Sequence, residues 1–588
     1  MTITRKLALR SRLLALFLSV ALLHPIAALT QDRLAPEAQS ERIERDAVLT
    51  RKYMAVSANP LATEAGREIL RRGGTAVDAA IAMQMVLGLV EPQSSGIGGG
   101  AFLVYYDAKT KEIHTYDGRE TAPAAAKSDR FLGQDGKPLQ FYDAVVGGKS
   151  VGVPGVVRML ERVHKNYGKL PWSYLFQPAI RVAEQGFPIS PRLHTLLSKE
   201  SFLPRIEPAR SYFYQLDGKP KSVGTTLVNQ PYAEVLRQIA KRGADAFYKS
   251  EIARDIVDTV RKASVPGDLT TADLTEYQAK ERKPACGVYR VYKVCSMGPP
   301  SSGGLTVLQI LGILERFNLA TLKSNSIAAI HLFSEAGRLA YADRGLYMAD
   351  ADFVPIPMEE LIDPAYLQRR AALIDPKRAM GEAKPGKLSS QEAQNWGLDD
   401  SRELPSTSHL AIVDRYGNAV SMTTSIEDAF GSRLMVRGFL LNNQLTDFSF
   451  SPTVDGKLVA NRVEPGKRPR SSMAPTMVFD RNGKLVMVVG SAGGSRIINY
   501  VAKALVAVLD WKLDSQQAVS LPNFGNRNSS TELEAGTTIA QLKPNLEAMG
   551  HTVQVVEQTS GSHAIVLTQE GMVGGADPRR EGTALGEF

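Results

Sequence analysis

Thr407 is the residue around which chemistry can be assembled in this sequence. It lies in Leu404-Pro405-Ser406-Thr407-Ser408-His409, at the edge of a strand-like run, Leu410-Ala411-Ile412-Val413. If the peptide bond between Ser406 and Thr407 is broken, the new terminus holds a hydroxyl nucleophile and its own base in one residue. An α-amino group with a pKa of roughly 7.7 to 8 is partly unprotonated near neutral pH and can take the hydroxyl proton. A Thr entering a strand is ordinarily just a β-former, so the reading must be carried by the rest of the chain.

The elements that would position Thr407 change in texture along the sequence. Leu61 to Arg72 is amphipathic and stops at Gly73-Gly74, and the Ala- and Met-rich run Thr75 to Val90 reads as a buried helix ended by Pro92. Phe102 to Tyr106 reads as a strand. From Val156 to about Arg378 the pattern is mostly helical, with helices over Val156–Lys165, Trp172–Gln185, Tyr232–Lys241, Ser250–Lys262, Leu305–Arg316 and Ser326–Tyr341. Residues 32–55 read as polar and loosely held, and Gly381 to Asp400 reads as a polar linker delivering the chain to Thr407. Beyond Thr407 come strands and tight turns: Thr407–Val413 and Asn418–Thr424 about Asp414-Arg415-Tyr416-Gly417, then Met477–Phe479 and Leu485–Val489 about Asn482-Gly483. Gly493-Gly494-Ser495-Arg496 opens a helix with Ile497, Val501, Leu505 and Leu509 on one face. Helices around antiparallel strands imply a layered α+β sandwich.

Composition excludes several classes. The chain has 588 residues, 44% hydrophobic and 22% charged, with a net charge of +9 and no long basic block, so the excess charge is dispersed surface and not a nucleic-acid footprint. The densest basic run, Lys467-Arg468-Pro469-Arg470, is short and broken by proline. Arg5, Lys6, Arg10 and Arg12 precede the apolar run Leu13 to Leu23 and small residues at Ala27-Ala28, the pattern of a secretory signal over residues 1–28, too short to span a bilayer. The protein is therefore expected to be periplasmic or secreted, with no membrane span. The two cysteines, Cys286 and Cys295, flank a hairpin turning at Arg290-Val291. In an oxidising compartment a disulfide fits that spacing, and two buried free thiols fit it nearly as well. No metal site and no cofactor is expected. Gly96-Ile97-Gly98-Gly99-Gly100 precedes a strand where a dinucleotide fingerprint would follow one, and Gly147-Gly148-Lys149-Ser150 lacks the first glycine of a phosphate loop. Both read as tight turns.

Several motifs in order carry a resemblance. Thr407-Ser408-His409, Gly438 to Gln444, Asp447-Phe448-Ser449, Pro465 to Pro469, Ser471 to Thr476 and Gly493 to Arg496, with Gly96 to Phe102, Pro299 to Gly304 and Asp577 to Arg580, resemble the γ-glutamyltranspeptidase family of N-terminal-nucleophile hydrolases. The likeness runs from about Leu49 to the C-terminus. It implies an αββα four-layer sandwich made as one precursor that cuts itself between Ser406 and Thr407. A large subunit, 29–406, and a small one, 407–588, would then remain together as a heterodimer. The implied activity is γ-glutamyl transfer from glutathione and similar compounds to water, amino acids or peptides, through a γ-glutamyl ester of Thr407.

The resemblance also assigns roles. Ser425 stands where the family has a second Thr beside the nucleophile, and keeps its hydroxyl. The backbone N–H groups of Gly493 and Gly494 would be the oxyanion donors. Arg119, with Ser471 and Ser472, would hold the substrate carboxylate, while Glu427, Gln444 and Asp447 would hold its ammonium. His409 reads as structural support. Many members have Asn at the Glu427 position, so a second acid beside Asp447 is expected to strengthen ammonium binding. Residues 451–463 lack the aromatic lid residue of some members, implying a more open site. Two alternatives remain: a glutaryl or cephalosporin acylase of the same family, and a non-catalytic periplasmic binding relative.

Overall fold

The computed structural model describes residues 42–389, 395–399, 401, 404 and 406–588. The secretory-signal reading of residues 1–28 lies outside the described residues. The strands of the two main sheets are, in chain order, β1 (Val48–Thr50), β2 (Tyr53–Ser57), β3 (Gly100–Asp107), β4 (Glu112–Gly118), β5 (Lys280–Arg282), β6 (Ala285–Tyr289), β7 (Tyr292–Ser296), β8 (Thr407–Val413), β9 (Ala419–Ser425), β10 (Thr476–Phe479), β11 (Leu485–Gly490), β12 (His563–Leu567), β13 (Met572–Ala576) and β14 (Thr583–Glu587). The helices used below are α1 (Pro60–Arg71), α2 (Ala76–Val90), α3 (Gly303–Leu314), α4 (Ile327–Tyr347) and α5 (Ile497–Leu509).

One sheet runs β14-β2-β8-β9-β3-β4-β5 and the other β1-β13-β12-β11-β10-β7-β6, and every neighbouring pair is antiparallel. The period-two alternation of β8 shows how the layers form. Leu410 and Ile412 join the core that includes α1 and α2, while Ala411 and Val413 join Met477, Val488 and Ile565 between the sheets. On the far side α3 and α5 pack against the second sheet through Leu305, Leu308, Val501 and Leu505, and α4 packs on α3. The order is thus helix, sheet, sheet, helix, an α+β sandwich of four layers. Hydrogen bonds also join the sheets directly: Ser421 Oγ donates to the Val489 carbonyl (3.0 Å) and accepts from the Thr476 N–H (3.1 Å).

α2 is buried along nearly its whole length, and the sequence supplies the reason. Its Ala, Met and Val side chains can face apolar neighbours all round, and Thr75 and Asp78 close a capping box over its first turn. Two sequence expectations are corrected. Tyr53 to Ala55, the end of the 32–55 stretch read as loosely held, begin a fully buried strand, Tyr53–Ser57, between β14 and β8. Met54-Ala55-Val56 has too few residues to signal it, and only its neighbours give it a place. The segment Gly381 to Asp400, read as a polar linker, is pinned where described: Ala383 and Leu388 are buried, Tyr347 Oη donates to the Gly386 carbonyl (2.6 Å), and Arg370 to that of Lys384 (2.9 Å). Cys286 and Cys295 are paired residues of the β6–β7 hairpin and form a disulfide. Among the described residues no helix is long and apolar enough to cross a membrane.

Candidate active site

Thr407 is the first residue of β8 and lies opposite Ser425, the last residue of β9. β2 reaches β8 only as far as Leu410, so Thr407, Ser408 and His409 have a ladder partner on one side alone. On the other side the Thr407 carbonyl accepts from Arg580 Nη1 at 2.8 Å. The backbone of Thr407 is thereby held from both directions although it stands at a strand end. Packing is close here: a Cβ on Gly99 would come within 2.2 Å of the Ser425 carbonyl oxygen. The glycine run that imitates a dinucleotide fingerprint exists to let this backbone approach β9.

Three oxygens form a hydrogen-bonded series across the Ser406–Thr407 bond. Thr407 Oγ1 donates to Ser425 Oγ (3.4 Å), and Ser425 Oγ donates to the Ser406 carbonyl oxygen (3.0 Å). The Glu427 N–H in turn donates to Ser425 Oγ (2.9 Å). Ser406 is fixed by its own hydroxyl, which donates to the Gln93 carbonyl (2.5 Å).

Around these oxygens a narrow pocket is lined by Arg119, Leu404, Glu427, Gln444, Asp447, Ser471, Ser472, Met473, Gly494 and Ile497. Of the catalytic and substrate-binding residues expected from sequence, Gly493 alone is not at its wall. It sits one position back at φ 132°, where a Cβ would meet the Tyr500 ring at 2.5 Å. Gly494, at φ 56°, lines the pocket and begins a single 3-10 turn before α5. No residue of 451–463 lines it. The short hairpin there lies against Gly397, whose N–H donates to the Leu458 carbonyl (2.8 Å).

The charged groups are arranged around two centres. Arg119 is 1% exposed; its Nη2 donates to Asp447 Oδ2 (2.5 Å) and the Arg470 carbonyl (2.8 Å), and its Nε to the Pro469 carbonyl (3.1 Å). Gln444 Nε2 also reaches Asp447 Oδ2 (3.2 Å). Thus the expected carboxylate clamp and one expected ammonium ligand are themselves an ion pair. Glu427 forms the other centre, with φ of 80° in the left-handed region, a costly conformation for its residue type. Its carboxylate accepts from Asn443 Nδ2 (2.5 Å) and from the Leu404 N–H (3.1 Å), both neutral donors. Burial, with Asp447 and Asp428 adding to it, holds this carboxyl well above the usual range. Its loop is anchored by Arg433, which bridges Asp428 (2.6 Å) and Glu200 (2.9 Å). Behind Arg119, Glu120 is fully buried, and burial pushes its carboxyl up to about 8 against the pull of Arg119.

Asn443 and Arg580 lie in motifs that the sequence alone gives no role; Asn443 holds the Glu427 carboxylate and Arg580 the Thr407 carbonyl. His409 faces the inter-sheet space, where Nδ1 pairs with Thr423 Oγ1 (2.9 Å) and burial holds the ring well below the usual histidine range. Among the described residues His331, Glu335 and His551 approach one another in the core, yet their contacts are already made. His331 Nδ1 and His551 Nε2 share a hydrogen bond (2.7 Å), and Arg338 holds Glu335 (3.0 Å).

A hydroxyl at the head of a central strand, in a pocket at the open end of two stacked antiparallel sheets, defines a class: the αββα fold of N-terminal-nucleophile hydrolases. Comparison with solved structures bears this out. The cephalosporin acylase of Bacillus halodurans superposes with a TM-score of 0.81 at 26% identity, covering 94% of this chain and 99% of that one. Residues 62–587 match the family model described as γ-glutamyltranspeptidase. The glutathione hydrolase proenzyme of Bacillus subtilis (strain 168) is 37% identical over 544 residues, 91% of each chain. That of Escherichia coli (strain K12) is 37% identical over 546 residues, 90% of this chain and 91% of the relative. The chain belongs to the γ-glutamyltranspeptidase family.

Proposed function

We propose that the protein cuts itself between Ser406 and Thr407 and then transfers γ-glutamyl groups from glutathione and similar compounds to water, amino acids or peptides. The observation that carries this reading is the series Thr407 Oγ1, Ser425 Oγ, Ser406 O across the bond to be cut. As Thr407 Oγ attacks the Ser406 carbonyl carbon, its proton passes to Ser425 Oγ and that of Ser425 to the carbonyl oxygen. Collapse breaks the C–N bond as the intermediate's hydroxyl proton passes to the Thr407 nitrogen, leaving an ester on Oγ and a free α-amine, and water hydrolyses the ester. The amine then takes the Oγ proton as Thr407 attacks a γ-glutamyl carbonyl, and returns it to the departing amine. Water or an acceptor amine releases the γ-glutamyl ester. The Gly494 N–H, with that of Gly493 behind it, supplies the oxyanion donors.

Residues 29–406 and 407–588 would stay together after the cut because both sheets interleave them. β2 and β3 flank β8 and β9, and β7 pairs β10. Residues 1–28 are the export signal, which places the protein in the periplasm or outside the cell, where a β6–β7 disulfide persists.

In the pocket, Arg119, Ser471 and Ser472 bind the donor carboxylate and Glu427, Gln444 and Asp447 its ammonium. Glu427 favours γ-glutamyl over glutaryl donors. Its partners are neutral, so burial keeps it protonated until a cation arrives, and an ammonium takes the place of that proton. A glutaryl chain offers no such group. Hydrolysis of γ-glutamyl and glutaryl p-nitroanilides, with and without a dipeptide acceptor, tests this. Faster release from the glutaryl compound would assign the protein to the acylase activity instead.

A further inference from the structure

The loop that carries Glu427 is closed by a buried cation whose part in donor selection the reading above leaves open. We propose that Arg433 is a positioning residue for the donor ammonium: by clamping this loop it fixes the backbone that presents the Glu427 carboxylate to the pocket, and so sustains the preference for γ-glutamyl over glutaryl donors; this rests on the γ-glutamyl reading of the same pocket.

Between Glu427 and Arg433 the chain adopts conformations that side chains resist. Glu427 (φ 80°), Phe430 (φ 64°) and Arg433 (φ 66°) all lie in the left-handed region, although none is glycine. Such residues persist only where the surroundings over-determine them. The geometry serves Glu427 twice. Its N–H donates to Ser425 Oγ (2.9 Å), while its carboxylate stands at the pocket wall and accepts from Leu404 and Asn443. Turning φ to the ordinary negative region rotates the N–H relative to the side chain, so both sets of contacts cannot survive together.

Hydrogen bonds to the backbone hold the first half of the loop: the Ile426 N–H donates to the Ser94 carbonyl (3.2 Å), that of Asp428 to Asn443 Oδ1 (2.9 Å) and that of Phe430 to the Gln93 carbonyl (3.1 Å). Arg433 closes the rest. Its Nη1 donates to Asp428 Oδ2 (2.6 Å) and to the Gly431 carbonyl (2.7 Å), drawing the two ends of the loop together, and its Nη2 donates to Glu200 Oε2 (2.9 Å). Glu200 is itself fixed, since its Oε1 accepts from the N–H groups of Phe202 (2.7 Å) and Leu203 (3.2 Å). Arg433 is 2% exposed, and the rings of Tyr142 and Phe202 lie 5.6 and 6.0 Å from its guanidinium carbon. In so dry a setting each charge-assisted bond is strong and directional. Buried ion pairs add little net stability over apolar side chains; this one holds the loop to one arrangement. Arg433 itself stays out of the pocket wall. It acts through Asp428, the chain neighbour of the residue that meets substrate.

The test is the ratio of kcat/KM for L-γ-glutamyl-p-nitroanilide to that for glutaryl-p-nitroanilide, which lacks the ammonium. R433M raises KM for the γ-glutamyl compound roughly tenfold with kcat nearly unchanged, the penalty for a displaced binding group, and leaves kcat/KM for the glutaryl compound within about twofold of wild type. E427Q/R433M is no worse than E427Q alone, because both changes remove the same contact. R433K, which keeps a cation between the two acids, recovers part of the preference. If R433M is not cut, D428N decides the matter: it takes one of the two acids from the guanidinium and must show the same one-sided loss in smaller degree. Equal losses on both donors, an unchanged preference, or losses of R433M and E427Q that multiply would overturn the proposal. A wild-type protein that releases the glutaryl compound faster, or an E427Q variant that keeps the wild-type preference, would instead overturn the γ-glutamyl reading, and the role of Arg433 with it.

Discussion

Replacing Ser425 by Ala removes one oxygen with three partners, which makes its effect calculable. The hydroxyl accepts from Thr407 and from the Glu427 N–H and donates to the Ser406 carbonyl (3.0 Å). When Thr407 attacks, negative charge develops on that carbonyl oxygen, and Ser425 is the donor aimed at it. Loss of one such donor costs about 3 to 4 kcal/mol of transition-state stabilisation, a hundred- to a thousandfold in rate. The fold should tolerate the change, because Ser425 is the last residue of β9 and its backbone pairing with Thr407 stays. The assay is the time course of conversion of freshly purified precursor into two fragments, followed by denaturing electrophoresis and mass spectrometry. S425A should cut at least a hundredfold more slowly, and S425T, which restores a hydroxyl, should cut within about tenfold of wild type. Cutting of S425A at the wild-type rate would refute the hydroxyl series as the path of the proton.

Three further outcomes are expected. E427Q should raise KM for γ-glutamyl p-nitroanilide by at least tenfold while leaving the glutaryl compound unaffected. Because burial holds the Glu427 proton above the usual carboxylate range, wild-type KM for the γ-glutamyl donor should fall as pH rises and that of E427Q should not. E120Q should stabilise the protein increasingly with pH: the native state keeps the Glu120 proton up to about 8 while the unfolded chain loses it near the ordinary carboxylate value. The gain in unfolding free energy should thus grow between these values to on the order of 5 kcal/mol, and a pH-independent gain would contradict the assignment. Thiol titration of unfolded protein should find no free cysteine until reductant is added, and C286S/C295S should cost about 2 to 3 kcal/mol, at the low end for disulfides because the closed loop is a short hairpin.

What could be read from the sequence depended on whether local pattern or distant partners decided each element. α2 was legible because its composition and its Thr75–Asp78 cap are local, and β8 and β9 because their alternation and the intervening turn are local. β2 was not, because five residues between β14 and β8 owe their burial to partners more than three hundred residues away. Of the candidate site, the residue types were legible through motif order. The pairing of Arg119 with Asp447 was not, since these residues are 328 positions apart and nothing in either stretch states that they meet. The same holds for Arg580 beneath Thr407 and for Arg433 beside Glu200. Each is an arginine in a turn until the sandwich closes over it.

The central claim is that Thr407 is made into an N-terminus and works as one. Intact mass and N-terminal sequencing of the purified protein, with a γ-glutamyl donor assay on the same sample, test it most directly. The account predicts two fragments, the smaller beginning at Thr407, and T407A protein that is neither cut nor active. An uncut chain that still turns over the donor, or a new terminus at any other residue, would contradict it.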